Sequence, residues 1–185
     1  MQDLSLTPSN RPKLSPDTRY NLDWDDYYSY QDISDFLDEL AATYEYVSVQ
    51  SIGSSYEGRD MKVLQIAKAG PGKPNIFIEG GMRYAEWKNQ QLMLTLLLYS
   101  TGIHAREWIS PAVVTYTIRE LLENYAAHPQ YVDEFNIHVI PSANPDGYEY
   151  TRSDVSLFLK RSAHYVISYQ NHVLGSYLEK IKKLD

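Results

Sequence analysis

Short apolar runs with strand character alternate with stretches of helical spacing through most of this 185-residue chain. Four runs alternate apolar and polar positions or are rich in β-branched residues, as strands are, and they lie at 47–52, 61–66, 75–79 and 137–141. Residues 33–44 and 107–124 instead place apolar side chains three and four positions apart, which predicts helices. This alternation predicts an α/β domain with a mixed sheet, in which ligands gather at the carboxyl ends of strands.

Local signals place several of these elements more closely. Ser29 and Asp32 have the spacing of a capping box, which predicts the start of the first helix. The first two strands are expected to pair antiparallel through a turn around Gly58. The second helix tolerates Pro111 in its first turn, and its predicted buried stripe consists of Val114, Ile118, Leu121 and Leu122.

Composition excludes several classes of protein. A hydrophobic content of 43% in a chain of this length fits one ordinary core. The net charge of −7, without a cluster of Lys and Arg, argues against a nucleic-acid partner. The longest apolar run, at 92–99, is far shorter than the about 20 residues of a membrane span, and no cysteine is present for disulfides or thiolate metal sites.

His104 and Glu107 stand three residues apart at the start of the second predicted helix. Zinc accepts imidazole nitrogen and carboxylate oxygen as ligands, and the two side chains can converge if His104 ends a loop and Glu107 opens a helix. The spacing alone is common in soluble proteins, so its sequence context decides how it is interpreted.

That context resembles a known family. The run from Gly102 to Ala112 is similar to the zinc loop of the carboxypeptidase A/B family of zinc metallocarboxypeptidases. Two further blocks, Tyr56–Arg59 and Asn144–Tyr148, resemble the same family and stand in the order that the family has. The resemblance covers about residues 20–154, and these three ordered blocks argue against a chance His-x-x-Glu pair in an unrelated α/β protein.

The resemblance implies a fold, a cofactor and a substrate class. The fold would be the N-terminal part of an α/β/α sandwich with a mixed sheet. His104 and Glu107 would bind Zn²⁺, and Arg106 would contact the peptide backbone or the carboxylate of the substrate. Peptide or protein C-termini would be the substrates of a monomeric, extracellular enzyme. Residues 144–147 would shape the support of the site, with Gly147 in a tight turn.

Several residues that the family needs have no counterpart here. The second zinc histidine, the residues that grip the substrate carboxylate and the general-base Glu all belong beyond the point where the resemblance ends, so no catalytic residue is assigned. His164 and His172 lack the family's surrounding motif. Two interpretations therefore stay open: a metallocarboxypeptidase whose complete form is active, or a catalytically dead fragment or peptide-binding module with a partial zinc site.

The family pattern is interrupted by an insert at residues 82–101. Removing Gly81 through Thr101, which is 21 residues, joins the strand at 75–79 to the zinc loop as one continuous motif. The residues at both ends of the insert can be encoded by codons that contain splice signals, so the insert could be a translated retained intron. A decayed duplication of the zinc loop or a true extra loop also fits. Both Asn75–Glu79 and Leu94–Tyr99 could then supply the strand that precedes the zinc loop.

The predicted organisation has three parts. Residues 1–19 are a linker or the end of a prosegment, with Pro8, Pro12 and Pro16 and without the pattern of a signal peptide. Residues 20–154 form a partial catalytic domain that contains the insert. Residues 155–185 are a foreign tail, which read-through into an intron would explain.

Overall fold

The computed structural model describes residue 20, residues 22–79, residue 105 and residues 107–153. The described strands are β1 (Val47–Ser54), β2 (Asp60–Ile66), β3 (Asn75–Glu79) and β4 (Asn136–Ile140). The described α-helices are α1 (Tyr30–Thr43), α2 (Ile109–Glu123), α3 (Pro129–Glu134) and α4 (Pro145–Arg152), and a 3₁₀ turn spans Tyr125–Ala127. The strands form one sheet in the order β1-β2-β4-β3.

The sheet is mixed, as predicted. β1 pairs antiparallel with β2, β2 pairs antiparallel with β4, and β3 pairs parallel with β4. Asn75–Glu79 therefore supplies the strand beside β4, whereas 94–99, the other candidate, lies outside the described residues. The predicted α/β class is confirmed.

The capping box at the start of α1 is confirmed. Ser29 Oγ accepts a hydrogen bond from the Asp32 backbone N–H at 3.1 Å, and the Asp32 carboxylate accepts one from the Ser29 N–H at 3.0 Å. Two of the helix's unpartnered N-terminal amides are satisfied in this way. The helix consequently begins at Tyr30, whose backbone N–H donates to the Glu149 carboxylate of α4 at 2.5 Å.

One face of the sheet and the two longest helices share a hydrophobic core. The buried side chains of α1 are Phe36, Leu37 and Leu40, those of α2 are Val114, Ile118 and Leu122, and those of the sheet include Leu64, Ile66, Ile137 and Val139. Leu121, expected in the stripe, is only partly buried. All five residues of β4 are buried, so both faces of this strand are covered, as an α/β/α sandwich requires.

α2 begins at Ile109 rather than at Glu107. Trp108 precedes it as the N-terminal cap residue and makes no capping hydrogen bond with its side chain. Pro111 lies in the first turn, where its missing N–H costs nothing, as expected. Glu107 therefore lies just before the helix, near its positive end.

The prediction of a turn at Asn144–Gly147 was wrong, because these residues begin α4. Asn144 Oδ1 caps the helix by accepting from the Gly147 N–H at 2.8 Å, and Pro145 occupies the first turn. Gly147 is needed for space: a Cβ atom there would lie 2.5 Å from Asn144 Nδ2. The glycine therefore makes room for the cap and does not serve a tight turn.

Candidate metal centre

The described part of the predicted zinc loop lies between the start of α2 and helix α4. Of the three predicted site residues, Glu107 is described, whereas His104 and Arg106 lie outside the described residues. The backbone C=O of Glu107 accepts a hydrogen bond from the Ser110 N–H at 3.0 Å, which ties the end of the loop to the first turn of α2.

The Glu107 side chain has an unusual environment. Its Oε2 atom is buried and has no hydrogen-bond partner within the described part of the chain. A buried carboxylate oxygen without a partner is costly, and a bound ion is one of the explanations for such a group in a native protein. Carboxylate oxygen is a normal zinc ligand, so the donor chemistry at this position fits the metal that the sequence predicts.

The described residues do not complete a metal site by themselves. Across residues 22–79 and 107–153, no group of three or more His, Cys, Asp or Glu side chains is placed to hold a metal ion. A three-donor site that contains Glu107 therefore needs at least one further donor from outside the described residues, and His104 is the nearest candidate in the sequence.

Thr151 on α4 contacts the zinc loop on both sides of residues 106 and 107. Its hydroxyl donates to the Ala105 carbonyl oxygen at 2.7 Å and accepts from Trp108 Nε1 at 2.8 Å. The same hydroxyl lies 2.9 Å from the carbonyl oxygen of Tyr148, one helical turn earlier in α4. The loop is thus attached to a helix that lies more than 40 positions later in the chain.

An aromatic and cationic cluster surrounds the Trp108 end of the loop. The Tyr27 ring meets the Trp108 ring edge-on at a centroid distance of 5.7 Å, and the Arg152 guanidinium lies 5.7 Å from the Trp108 centroid. Arg152 also donates to the Tyr27 carbonyl oxygen at 2.9 Å. These contacts fix the indole whose N–H binds Thr151.

Tyr148 attaches α4 to the segment before α1. Its hydroxyl donates to the Tyr28 carbonyl oxygen at 2.7 Å. Burial raises the pKa of Tyr148 to about 12, so the phenol keeps its proton near neutral pH and remains a hydrogen-bond donor.

Asp146 joins two of the blocks recognised in the sequence. Its buried carboxylate accepts hydrogen bonds from Ser55 Oγ at 2.6 Å, from the Glu57 N–H at 3.0 Å and from Arg59 Nη1 at 2.6 Å. The first block, Tyr56–Arg59, forms the turn between β1 and β2, and the second forms the start of α4. The sequence signal was the opposite charge of Arg59 and Asp146, but nothing local indicated that they would meet.

The comparisons with known proteins place the chain in a family. The family model described as zinc carboxypeptidase matches residues 33–99 and 95–168. Carboxypeptidase B of Astacus astacus is 41% identical over 140 residues, which cover 75% of this chain and 39% of that protein. Zinc carboxypeptidase A 1 of Anopheles gambiae is 39% identical over 131 residues, which cover 70% of this chain and 25% of that protein.

A solved structure agrees with these sequence matches. Carboxypeptidase A from Helicoverpa armigera superposes with a TM-score of 0.57 at 27% identity, over 74% of this chain and 29% of that one. The chain thus spans about two fifths or less of the length of the relatives described. The three ordered motif blocks, the mixed sheet and these matches together show that the chain belongs to the zinc carboxypeptidase family.

Proposed function

We propose that the complete form of this protein is a zinc-dependent metallocarboxypeptidase that removes C-terminal residues from peptides and proteins. One observation carries the proposal: at the position where the family motif needs a zinc-binding carboxylate, Glu107 Oε2 is buried and has no partner among the described residues. The family match supports the reaction class, and the unpartnered carboxylate supports the site.

The residues of the zinc loop have separate roles in this proposal. His104 and Glu107 hold the metal. Zinc, when bound, supplies a Lewis acid that polarises the scissile carbonyl of the substrate. Arg106 binds the substrate, because a guanidinium can donate two parallel hydrogen bonds to a peptide carboxylate or a single bond to a backbone carbonyl. Thr151 and Trp108 keep the loop in place beside α4.

The part of the family that this chain matches does not contain a general base, so that group has to come from elsewhere in a complete protein. A second candidate function follows from the same fact. The chain as written is then a catalytically dead fragment, or a peptide-binding module with a partial zinc site.

A chimera with a relative tests the proposed reaction. Residues 20–154 of this chain, with 81–101 removed, would replace the matching part of Astacus astacus carboxypeptidase B. We expect the chimera to release the C-terminal residue of a blocked dipeptide and to lose this activity when a chelator is added. Residues 1–185 alone should show no measurable hydrolysis, since losing groups that stabilise the transition state costs orders of magnitude in rate.

The chimera has a matched pair of control variants. Glu107→Gln should inactivate it, whereas Glu57→Gln, which neutralises an exposed carboxylate in the β1–β2 turn, should not. A folded chimera that shows no activity, beside an active Astacus enzyme, would refute the proposed reaction. Chelator-sensitive hydrolysis by residues 1–185 alone would refute the argument that this chain lacks essential groups.

We also propose that residues 82–101 and 155–185 are retained intron sequence. The family model matches in two segments that overlap at 95–99, and this break in the match supports an interruption inside the insert; the second segment also covers residues 155–168 of the tail. A cDNA form should therefore join Gly80 and one further Gly directly to Ile103. It should also continue the family sequence after Asp154. Transcripts that all keep codons 81–101 and end after Asp185 would contradict the proposal.

The complete protein is further proposed to act as an extracellular monomer, because digestive members of the family that it resembles are usually secreted. Within the described part of the chain, no helix combines the length and the apolar character needed to cross a membrane. Sedimentation of the secreted product after expression in eukaryotic cells would test both the compartment and the oligomeric state.

A further inference from the structure

We infer that Thr151 is a positioning residue for the metal centre, holding the zinc loop so that the ligands on it keep their geometry. The inference rests on the proposed function, since it concerns the same metal centre. It adds a residue that lies outside all three motif blocks and carries no metal-binding group.

The Thr151 hydroxyl acts both as a donor and as an acceptor. A hydroxyl has one hydrogen to donate and two lone pairs that accept. Thr151 Oγ1 accepts from Trp108 Nε1 at 2.8 Å, and the nearer of the two acceptors for its hydrogen is the Ala105 carbonyl at 2.7 Å, against 2.9 Å for the Tyr148 carbonyl. One side chain therefore holds the backbone at residue 105 and the side chain at residue 108.

Both contacts are made by residues that directly follow a proposed zinc ligand in the chain. Ala105 follows His104 directly in the chain, and Trp108 follows Glu107. Any shift of the loop relative to α4 would therefore move both proposed ligands together. Metal and catalytic sites need their groups held within about 0.5 Å, and outer groups that orient metal ligands supply this precision.

The helix that carries Thr151 is itself held to neighbouring elements. Thr151 lies in α4, whose first turn is capped by Asn144 and attached to the β1–β2 turn through the buried carboxylate of Asp146. Arg152, the next residue, packs against the Trp108 ring at 5.7 Å. The zinc loop is thereby coupled to the sheet through α4.

The chain offers a matched control for this inference. Thr115, in α2, makes the same set of bonds on the C-terminal side of the proposed ligands: it accepts from Trp24 Nε1 at 3.1 Å and donates to the Pro111 carbonyl oxygen at 2.8 Å. Replacing either threonine by Val removes one hydroxyl of the same kind and keeps the shape. Only the replacement of Thr151 removes bonds to Ala105 and Trp108, the residues that directly follow the proposed ligands His104 and Glu107.

The test is a metal titration of the full chain. Zn²⁺ affinity would be measured by equilibrium dialysis, and Co²⁺ binding by its visible absorption band. We expect Thr151→Val to weaken both affinities by about tenfold and to change the Co²⁺ band, in line with the loss of an outer group that orients ligands. Thr151→Ser should restore wild-type binding, and Thr115→Val should leave binding unchanged.

Three outcomes separate the possibilities. Equal metal affinities for Thr151→Val and Thr115→Val, beside a wild type that binds, would overturn the inference and leave the proposed metal centre intact. Metal binding by the wild type that Glu107→Gln does not weaken would overturn both. If Thr151→Val does not fold, Trp108→Phe removes the hydrogen bond between Trp108 Nε1 and Thr151 Oγ1 from the tryptophan side. Unchanged metal affinity in that variant then overturns the inference.

Discussion

Replacing Glu107 by Gln should weaken zinc binding by more than about 100-fold, the upper end of what is lost when only an outer group is changed. The amide keeps the shape of the side chain but is a neutral and much poorer metal ligand. Without metal, the same change should leave the protein as stable as the wild type or more stable. The buried Oε2 atom has no partner among the described residues, and neutralising it relieves a desolvation cost.

The opposite signs of these two effects distinguish a metal ligand from a structural carboxylate. Equilibrium dialysis measures the first effect and urea denaturation of the metal-free protein measures the second. Glu57→Gln is the control, because that side chain is 52% exposed and pairs with Arg59 instead of lying unpartnered. A Glu107→Gln protein that binds zinc like the wild type, or that is strongly destabilised without metal, would contradict the proposed role.

Replacing Asp146 by Ala should lower the free energy of unfolding by about 3 kcal/mol. The side chain is only 3% exposed, and its removal leaves the Ser55 hydroxyl, the Glu57 N–H and the Arg59 guanidinium without their acceptor. This loss is at the lower end of the range for removing one partner of a buried ion pair, because Arg59 is 31% exposed and can reach water. Urea denaturation with an unchanged m-value would measure it.

Glu57→Ala is the matched control for this prediction. It removes the other carboxylate that binds the same Arg59 atom, at 2.5 Å, but from an exposed position. An exposed ion pair contributes about 0–1 kcal/mol, so we expect a change of that size. Similar losses in the two variants would show that Asp146 does not join α4 to the β1–β2 turn in the way described.

Elements with a clear hydrophobic period could be predicted from the sequence. The capping box at Ser29, the antiparallel strands β1 and β2 and the parallel-paired strands β3 and β4 all follow from patterns within a few residues. α4 could not be predicted in this way. Its first turn contains Pro145, Asp146 and Gly147, which favour a turn by propensity, yet an Asn cap and Pro in the first turn also begin a helix.

The candidate site, too, could be predicted from the sequence only where the signal is local. Glu107 could be located from the motif alone, because the chemistry of a His-x-x-Glu pair is local. The contact of Asp146 with Ser55 spans 91 positions, and that of Thr151 with Ala105 spans 46. These contacts depend on how α4 packs against the rest of the domain, and no short-range pattern encodes that packing.

The central claim is that His104 and Glu107 form half of a zinc site, and X-ray absorption spectroscopy of the zinc-loaded full chain tests it most directly. Zinc–nitrogen and zinc–oxygen distances of about 2.0–2.2 Å are expected for this donor set. The account predicts a single imidazole per zinc, which disappears in His104→Ala, with oxygen donors in the remaining positions. Two or more imidazoles, or an imidazole signal that survives His104→Ala, would contradict it and would point to a histidine such as His164 or His172 as a ligand.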